Sequence, residues 1–399
     1  MERKKQIINF IFSIAFLLMI TIPLCLLRTE PEIASELENR NLTEWPGLHF
    51  SALYNEWYGH YAEDRIGFRD QAIRFNNLVS YYVFDDFAES IHMEGKDGYI
   101  FPADDGYIKN YQRTNINTEL LKSLSVYAKR TSDYAKKNGA DFYLMVCPNK
   151  SSVYGHYMPD SIHVDETKKT ALDVVRGDLE EAGVSYVIPD REFRERAKTE
   201  QIYNEKYDCA HWNDLGAFYG LHLLDEKIAQ DHPDIPVLSM DSFSPDYQTI
   251  NLELSSLPIK DRIPVLTSLI PAAASDGENR KEVPVVPGNN LAYFYNPQAS
   301  GDKTILILHD SFLDNRESYY YGRYREVYYG SRVNYTNMKD YIDIIQPDII
   351  VFELAERSFA DDLYAYTELG TYQYEGSIKM KGSVNAYASD RTGAVKKGK

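Results

Sequence analysis

The chain has 399 residues and a formal net charge of −17. A surface this acidic argues against nucleic acid as a partner, because phosphate recognition needs a basic face, and it disfavours strongly anionic polymers. There are 3 cysteines, of which only Cys147 and Cys209 lie outside the first apolar segment, so this is no disulfide-built scaffold.

Ile7 to Leu27 carries no charge and as a helix is about 31 Å long, enough to cross a bilayer. Arg3, Lys4 and Lys5 precede it. Residues 1–6 are therefore expected in the cytoplasm, 7–27 as a transmembrane signal anchor, and the remainder outside the cell. Signal-peptide cleavage is the rival reading. Against it, small residues are missing where a peptidase would cut, and Leu24 precedes Cys25 where lipid modification needs a small residue.

Residues 28–95 read as an extracytoplasmic leader and helical segment. Arg28 to Pro46 is polar without apolar periodicity and should be extended, whereas Tyr54, Trp57, Tyr58 and Tyr61, spaced by three and four, predict a helix within Ser51 to Phe84. Glu94 to Gly98 is turn-forming, and Tyr99 to Phe101 a short strand.

Residues 96–373 then read as one large domain of alternating elements. A helix at 118–138 leads into strand Asp141 to Cys147; a helix at 166–181, stopped by Gly183, leads into strand Val184 to Ile188. Asn213 caps a helix running to about 230. The Pro-, Ser- and Asn-rich stretch 232–300 reads as an insertion of hairpins and loops. Thr304 to Leu308 and Asp348 to Phe352 are buried strands, with a helix near 336–345 between them. Strands separated by helices predict a three-layer α/β fold with a parallel sheet. Residues 374–399 should be a frayed polar tail.

Two short stretches carry chemistry. His309-Asp310-Ser311-Phe312 follows a buried strand, where α/β proteins expose a nucleophile. Asp208-Cys209-Ala210-His211-Trp212 offers a base and a carboxylate to orient it. A serine hydroxyl is a weak nucleophile near neutral pH, so Ser311, His211 and Asp208 together point to acyl transfer through an acyl-serine. The tetrahedral oxyanion needs aimed donors. The Ser311 N–H and the Asn149 side chain are the candidates, and Lys150, Asp310 and Trp212 are further oxyanion- or substrate-side candidates.

Plainer roles stand beside these. Ser311 also suits a helix cap, His211 and Trp212 a packed turn, Asp310 a backbone-bonding turn, and Lys150 an ion pair. Glu353 and Arg357 have the spacing of an intrahelical pair, and Tyr319 to Tyr321 suit packing better than a sugar groove. Cys147 and Cys209 either bridge two loops or remain separate thiols. No zinc-ligand spacing and no Gly-rich phosphate loop is present, so neither metal nor other cofactor is expected.

The chain resembles the SGNH-type O-acyltransferases of the DHHW and alginate-acetylation group. The landmarks run in order across roughly 36–360: Glu38-Asn39-Arg40 with Trp45-Pro46, Asp64 to Asp70, Gly95 to Gly98, Pro148-Asn149-Lys150, Asp208 to Asn213, Asp310-Ser311-Phe312, and Pro347-Asp348 through Glu353 to Arg357. The resemblance implies an SGNH hydrolase-like domain in permuted order, Asp and His before Ser, with Ser311 as nucleophile and His211 as base. The chain departs from the pattern twice. Cys209 stands where the group has its aspartate, leaving Asp208 at the wider SGNH spacing, and His309 stands in place of the common glycine. The implied function is an exported O-acetyltransferase of a polysaccharide, supplied by a membrane-bound O-acyltransferase. A carbohydrate acetylesterase with the same triad, or a catalytically silent glycan-binding or assembly protein, are the alternatives.

Overall fold

The apolar N-terminal segment forms helix α1, Glu2–Cys25, in a computed structural model that describes residues 2–27, 34–35, 40–51, 54–84, 86–88, 91–252, 255, 257–270, 280–359, 369 and 372–374. The stretch Arg3–Cys25 has a mean hydropathy of 2.4 with none of it buried, so α1 is long and apolar enough to cross a membrane. The chain divides into two units: Met1–Glu94 with Ile250–Asp261, and Gly95–Thr249 with Arg262–Lys399.

In the smaller unit the helix predicted within 51–84 is broken into α2, Asn55–Arg65, and α3, Arg69–Phe84. The break sits at Ile66-Gly67-Phe68. There the Gly67 N–H donates to the Pro23 carbonyl at 2.9 Å, and a Cβ on Gly67 would lie 2.7 Å from Leu26 Cβ. Close approach to the end of α1 therefore requires glycine, and Phe68 turns the chain with a φ of 59°. The described part of the leader is irregular apart from a pairing of Ala34–Ser35 with Arg40–Asn41.

The larger unit carries the alternation. Helix α4, Thr118–Lys137, is capped by Asn117 and buries Leu121, Leu124, Tyr127 and Ala128. Strand β1 is Asp141–Cys147. Helix α5, Ala171–Ala182, begins later than predicted, because the Thr170 hydroxyl accepts the Asp173 N–H at 3.0 Å and caps it. Gly183 (φ 66°) ends α5, and β2, Ser185–Val187, follows. Helix α6, Asp214–Ala229, starts at Asn213, whose side chain accepts the Gly216 N–H at 3.0 Å. Strands β3, Phe243–Asn251, and β4, Lys260–Ser268, pair as a separate two-stranded sheet. Then come β5, Arg280–Val286; β6, Asn289–Tyr295; β7, Thr304–His309; β8, Glu326–Ser331; α7, Met338–Ile345; and β9, Ile349–Ala355.

The central sheet runs β2-β1-β9-β7-β8-β6-β5. It is parallel from β2 through β8 and antiparallel at β6 and β5. Within 232–300, β3 with β4 and β5 with β6 form two hairpins, and the second extends the central sheet, which is mostly parallel with an antiparallel edge. Edge strand β5 carries Pro284 and several charges, which hide it in the sequence. Strand β8 opens on a buried charge, Glu326, three residues after the buried Arg323, which hides it in the sequence.

One face of the sheet packs Leu144, Val146, Leu306, Leu308 and Phe352 into a core shared with α4, α5 and α7. Helix α6 meets Met145, whose neighbours Leu144 and Val146 point into that core, and so lies on the opposite face. Gly220 permits this approach, since a Cβ there would lie 2.6 Å from the Trp212 ring. Helices on both faces make three layers. The tail beyond residue 374 lies outside the described residues.

Candidate active site

Strands β1, β7 and β9 are parallel neighbours, with Ala355 opposite Cys147, so residues after their ends meet at one sheet edge. After β7, Asp310 turns the chain and Ser311 opens a short turn, Ser311–Leu313. The Asp310 carboxylate accepts the N–H groups of Ser311 (2.8 Å) and Ala355 (3.1 Å) and the Ser358 hydroxyl (2.9 Å), and pairs with Arg332 Nε at 2.7 Å. Burial pushes this carboxyl up, but the Arg332 charge and these donors outweigh it and hold it below the usual range. The Asp310 N–H donates to Glu353 Oε2 at 2.7 Å. Glu353 is fully buried, and desolvation, then the neighbouring Asp310 charge, push it up to about 8.

The candidate base, His211, comes from a self-closing turn. Asp208 Oδ1 accepts the N–H groups of Ala210 (2.9 Å) and His211 (3.0 Å), an arrangement available to an aspartate bonding its own downstream backbone. Its Oδ2 lies 2.8 Å from His211 Nδ1. Burial raises the Asp208 carboxyl, but the hydrogen bond and charge of His211 with the two backbone donors hold it well below the usual carboxylate range. An ionised Asp208 assigns the proton to Nδ1, so Nε2 presents a lone pair. That Nε2 lies 2.9 Å from Ser311 Oγ. Trp212 ties this turn to that of Ser311: its Nε1–H donates to the Phe312 carbonyl at 2.7 Å, and the Phe312 ring meets Trp212 and His211 edge-on at 5.2 and 5.0 Å.

A third participant is Arg357, in the turn Glu356–Phe359 after β9. Its Nη2 lies 2.7 Å from His211 Nε2 and donates to Ser311 Oγ. The intrahelical Glu353–Arg357 pair is therefore corrected, because Glu353 sits in a strand and bonds Asp310 while Arg357 reaches the serine.

The other candidates go elsewhere. The Ser311 N–H is engaged by the Asp310 carboxylate instead of facing a ligand. Asn149 is 2% exposed; its backbone N–H donates to Glu356 Oε2 at 2.7 Å, and its side chain makes no hydrogen bond to Ser311 or His211. Glu356 also accepts from Ser152 and Asn110, and desolvation pushes it up to about 7. Lys150, a candidate for either an ion pair or a substrate contact, is fully buried, donates to the carbonyls of Ile100 (2.6 Å) and Glu205 (2.9 Å), and lies over the Tyr99 and Phe101 rings. Tyr319, Tyr320 and Tyr321 are buried. Cys147 is a buried free thiol and Cys209 a partly exposed one.

No family model matches the sequence, and no curated protein matches it. Among solved structures, Bacillus cereus PatB1 aligns with 70% of this chain and 100% of its own, at 14% identity and a TM-score of 0.52. The chain shares the fold of PatB1. The O-acetyltransferase domain of Pseudomonas putida AlgJ aligns with 71% of this chain and 99% of its own (14% identity, TM-score 0.47). A DHHW family protein from Eubacterium siraeum aligns with 73% and 99% (12% identity, TM-score 0.46).

Proposed function

We propose that this protein is an extracytoplasmic polysaccharide O-acetyltransferase working through an acyl-serine. The observation that carries the reading is the continuous hydrogen-bonded chain from Asp208 through His211 to Ser311, with Arg357 on the serine oxygen.

Ser311 Oγ attacks the acetyl carbonyl carbon of the donor while its proton passes to His211 Nε2, and Asp208 steadies the imidazolium. Arg357, permanently charged and already beside Oγ, faces the oxyanion in the place where many enzymes use backbone N–H groups. Collapse expels the donor's leaving group, which takes the proton from His211 and leaves acetyl-Ser311. An acceptor hydroxyl then gives its proton to His211 and attacks the ester, and Ser311 Oγ recovers the proton as the acetylated sugar leaves.

Helix α1 serves as the anchor, with Arg3, Lys4 and Lys5 on the cytoplasmic side. An exported site has no access to cytoplasmic acetyl-CoA, so a membrane-bound O-acyltransferase supplies the acetyl group. The test uses the full chain in detergent with p-nitrophenyl acetate and an oligosaccharide. Acetylated oligosaccharide in the mass spectrum supports the proposal. Hydrolysis alone makes the protein an esterase, and no turnover above the Ser311→Ala background makes it a silent binding protein.

A further inference from the structure

A cavity of about 390 Å³ adjoins the nucleophile turn. Its floor follows from strand register: Glu282, Ala292, Tyr329 and Ile307 pair across β5, β6, β8 and β7, so they share one face of the sheet. Arg280, Asn290 and His309 stand two residues along their strands and share that face. Asp314, Asn315 and Glu317, from the loop that continues Ser311, close the cavity. His309 lies two residues before Ser311, and its Nδ1 bonds the Asp310 carbonyl at 2.9 Å, so this wall and the nucleophile turn are one structure.

The lining is polar and carries more carboxylates than cations. Glu282, Asp314 and Glu317 stand against Arg280, which pairs with Glu282 at 3.1 Å. Burial lowers the His309 pKa and favours its neutral ring. That ring lies 4.1 Å from the buried Tyr329 ring, and both rings line the cavity among hydrogen-bonding groups. Carboxylate and amide side chains accept from vicinal hydroxyls, a flat ring packs on a sugar face, and excess negative charge repels uronates and phosphates. The volume falls in the range of roughly 300–1,000 Å³ usual for small-molecule sites.

We infer that this cavity is the acceptor subsite and takes a sugar unit bearing no anionic group. The inference rests on the transferase reading. Its test measures acetyl transfer by the full chain from p-nitrophenyl acetate to three oligosaccharides: neutral hexose, amino sugar and uronate. The expected acceptor KM is about tenfold or more higher for the uronate than for the neutral sugar. In Glu317→Lys that ratio narrows about tenfold, and in the double variant Asn290→Ala with Glu317→Gln the neutral-sugar KM rises about tenfold as two hydrogen bonds are lost. Ratios and KM values within about twofold of wild type in these variants overturn the inference. Binding of the neutral oligosaccharide to Ser311→Ala protein, followed by saturation-transfer NMR, separates the two readings. Binding that disappears when Asn290→Ala and Glu317→Gln are added upholds the cavity even where the wild type only hydrolyses. Binding that survives those changes, or no binding at all, sinks the cavity and leaves the transferase reading to the transfer assay.

Discussion

The His211 turn and the Ser311 turn both depend on an aspartate that accepts backbone N–H groups, yet they are held in different ways. Asp208 closes its turn on residues two and three places along the chain, and the same carboxylate orients His211. Asp310 reaches Ala355, Ser358 and Arg332, and its own N–H is gripped by Glu353 from the neighbouring strand. Both carboxylates are half-buried, but the first turn is local, whereas the second is a long-range network anchored on the fully buried Glu353. Changes to the first should therefore strike catalysis, and changes to the second should register in stability and its pH dependence.

The largest effect that sharpens this comparison is expected from Asp208→Asn. Its amide cannot hold the His211 tautomer, and kcat on p-nitrophenyl acetate should fall by about three to four orders of magnitude with the melting curve nearly unchanged. A rate close to wild type would remove Asp208 from the chemistry. Asp214 is no substitute, since it accepts the Leu266 N–H at 2.8 Å and pairs with Arg316 at 2.5 Å. Arg357→Ala should lower kcat about a hundred- to a thousandfold, the cost of one oxyanion donor, with a smaller change in donor KM. A KM effect alone would make Arg357 a binding group. Trp212→Phe keeps the ring but removes the bond to the Phe312 carbonyl that joins the two turns. A loss of about tenfold in kcat is expected, and an unchanged rate would show that the turns hold their spacing independently.

The smallest expected effect concerns Glu353. Its carboxyl is raised to about 8 in the folded chain, so it binds its proton more tightly there than in the unfolded chain. Its contribution to stability is full below the unfolded value of roughly 4.3 and is lost as pH rises through the folded value. Glu353→Gln keeps the acceptor for the Asp310 N–H and cannot ionise. The variant should melt within a degree or so of wild type in mild acid and a few degrees above it in mild alkali. A gap that stays constant or reverses with pH would contradict the buried-network account.

Legibility follows the same division. Asp208 and His211 were readable because their relation is local, and Ser311 because it ends a β-branched run that only a buried strand explains. Helix α6 was marked by Asn213 at its cap. Arg357 was not readable, because its reach depends on β9 lying beside β7, a fact of strand order and not of spacing. Strands β5, β6 and β8 were hidden by Pro284 on an edge and by buried charges such as Arg323, which pairs with Asp225. Lys150 misled because a lysine next to a strand end is ordinarily exposed, and here it is enclosed by carbonyls and rings.

The central claim is a covalent intermediate on Ser311, and trapping it tests that claim most directly. The full chain is mixed with p-nitrophenyl acetate, quenched in acid within the first turnover, digested and read by mass spectrometry. The account predicts one acetyl group on the peptide holding Ser311, absent in Ser311→Ala and cleared when an acceptor oligosaccharide is added. Turnover without an acetylated Ser311, or an acetyl group carried on another residue that passes to the acceptor, would contradict it.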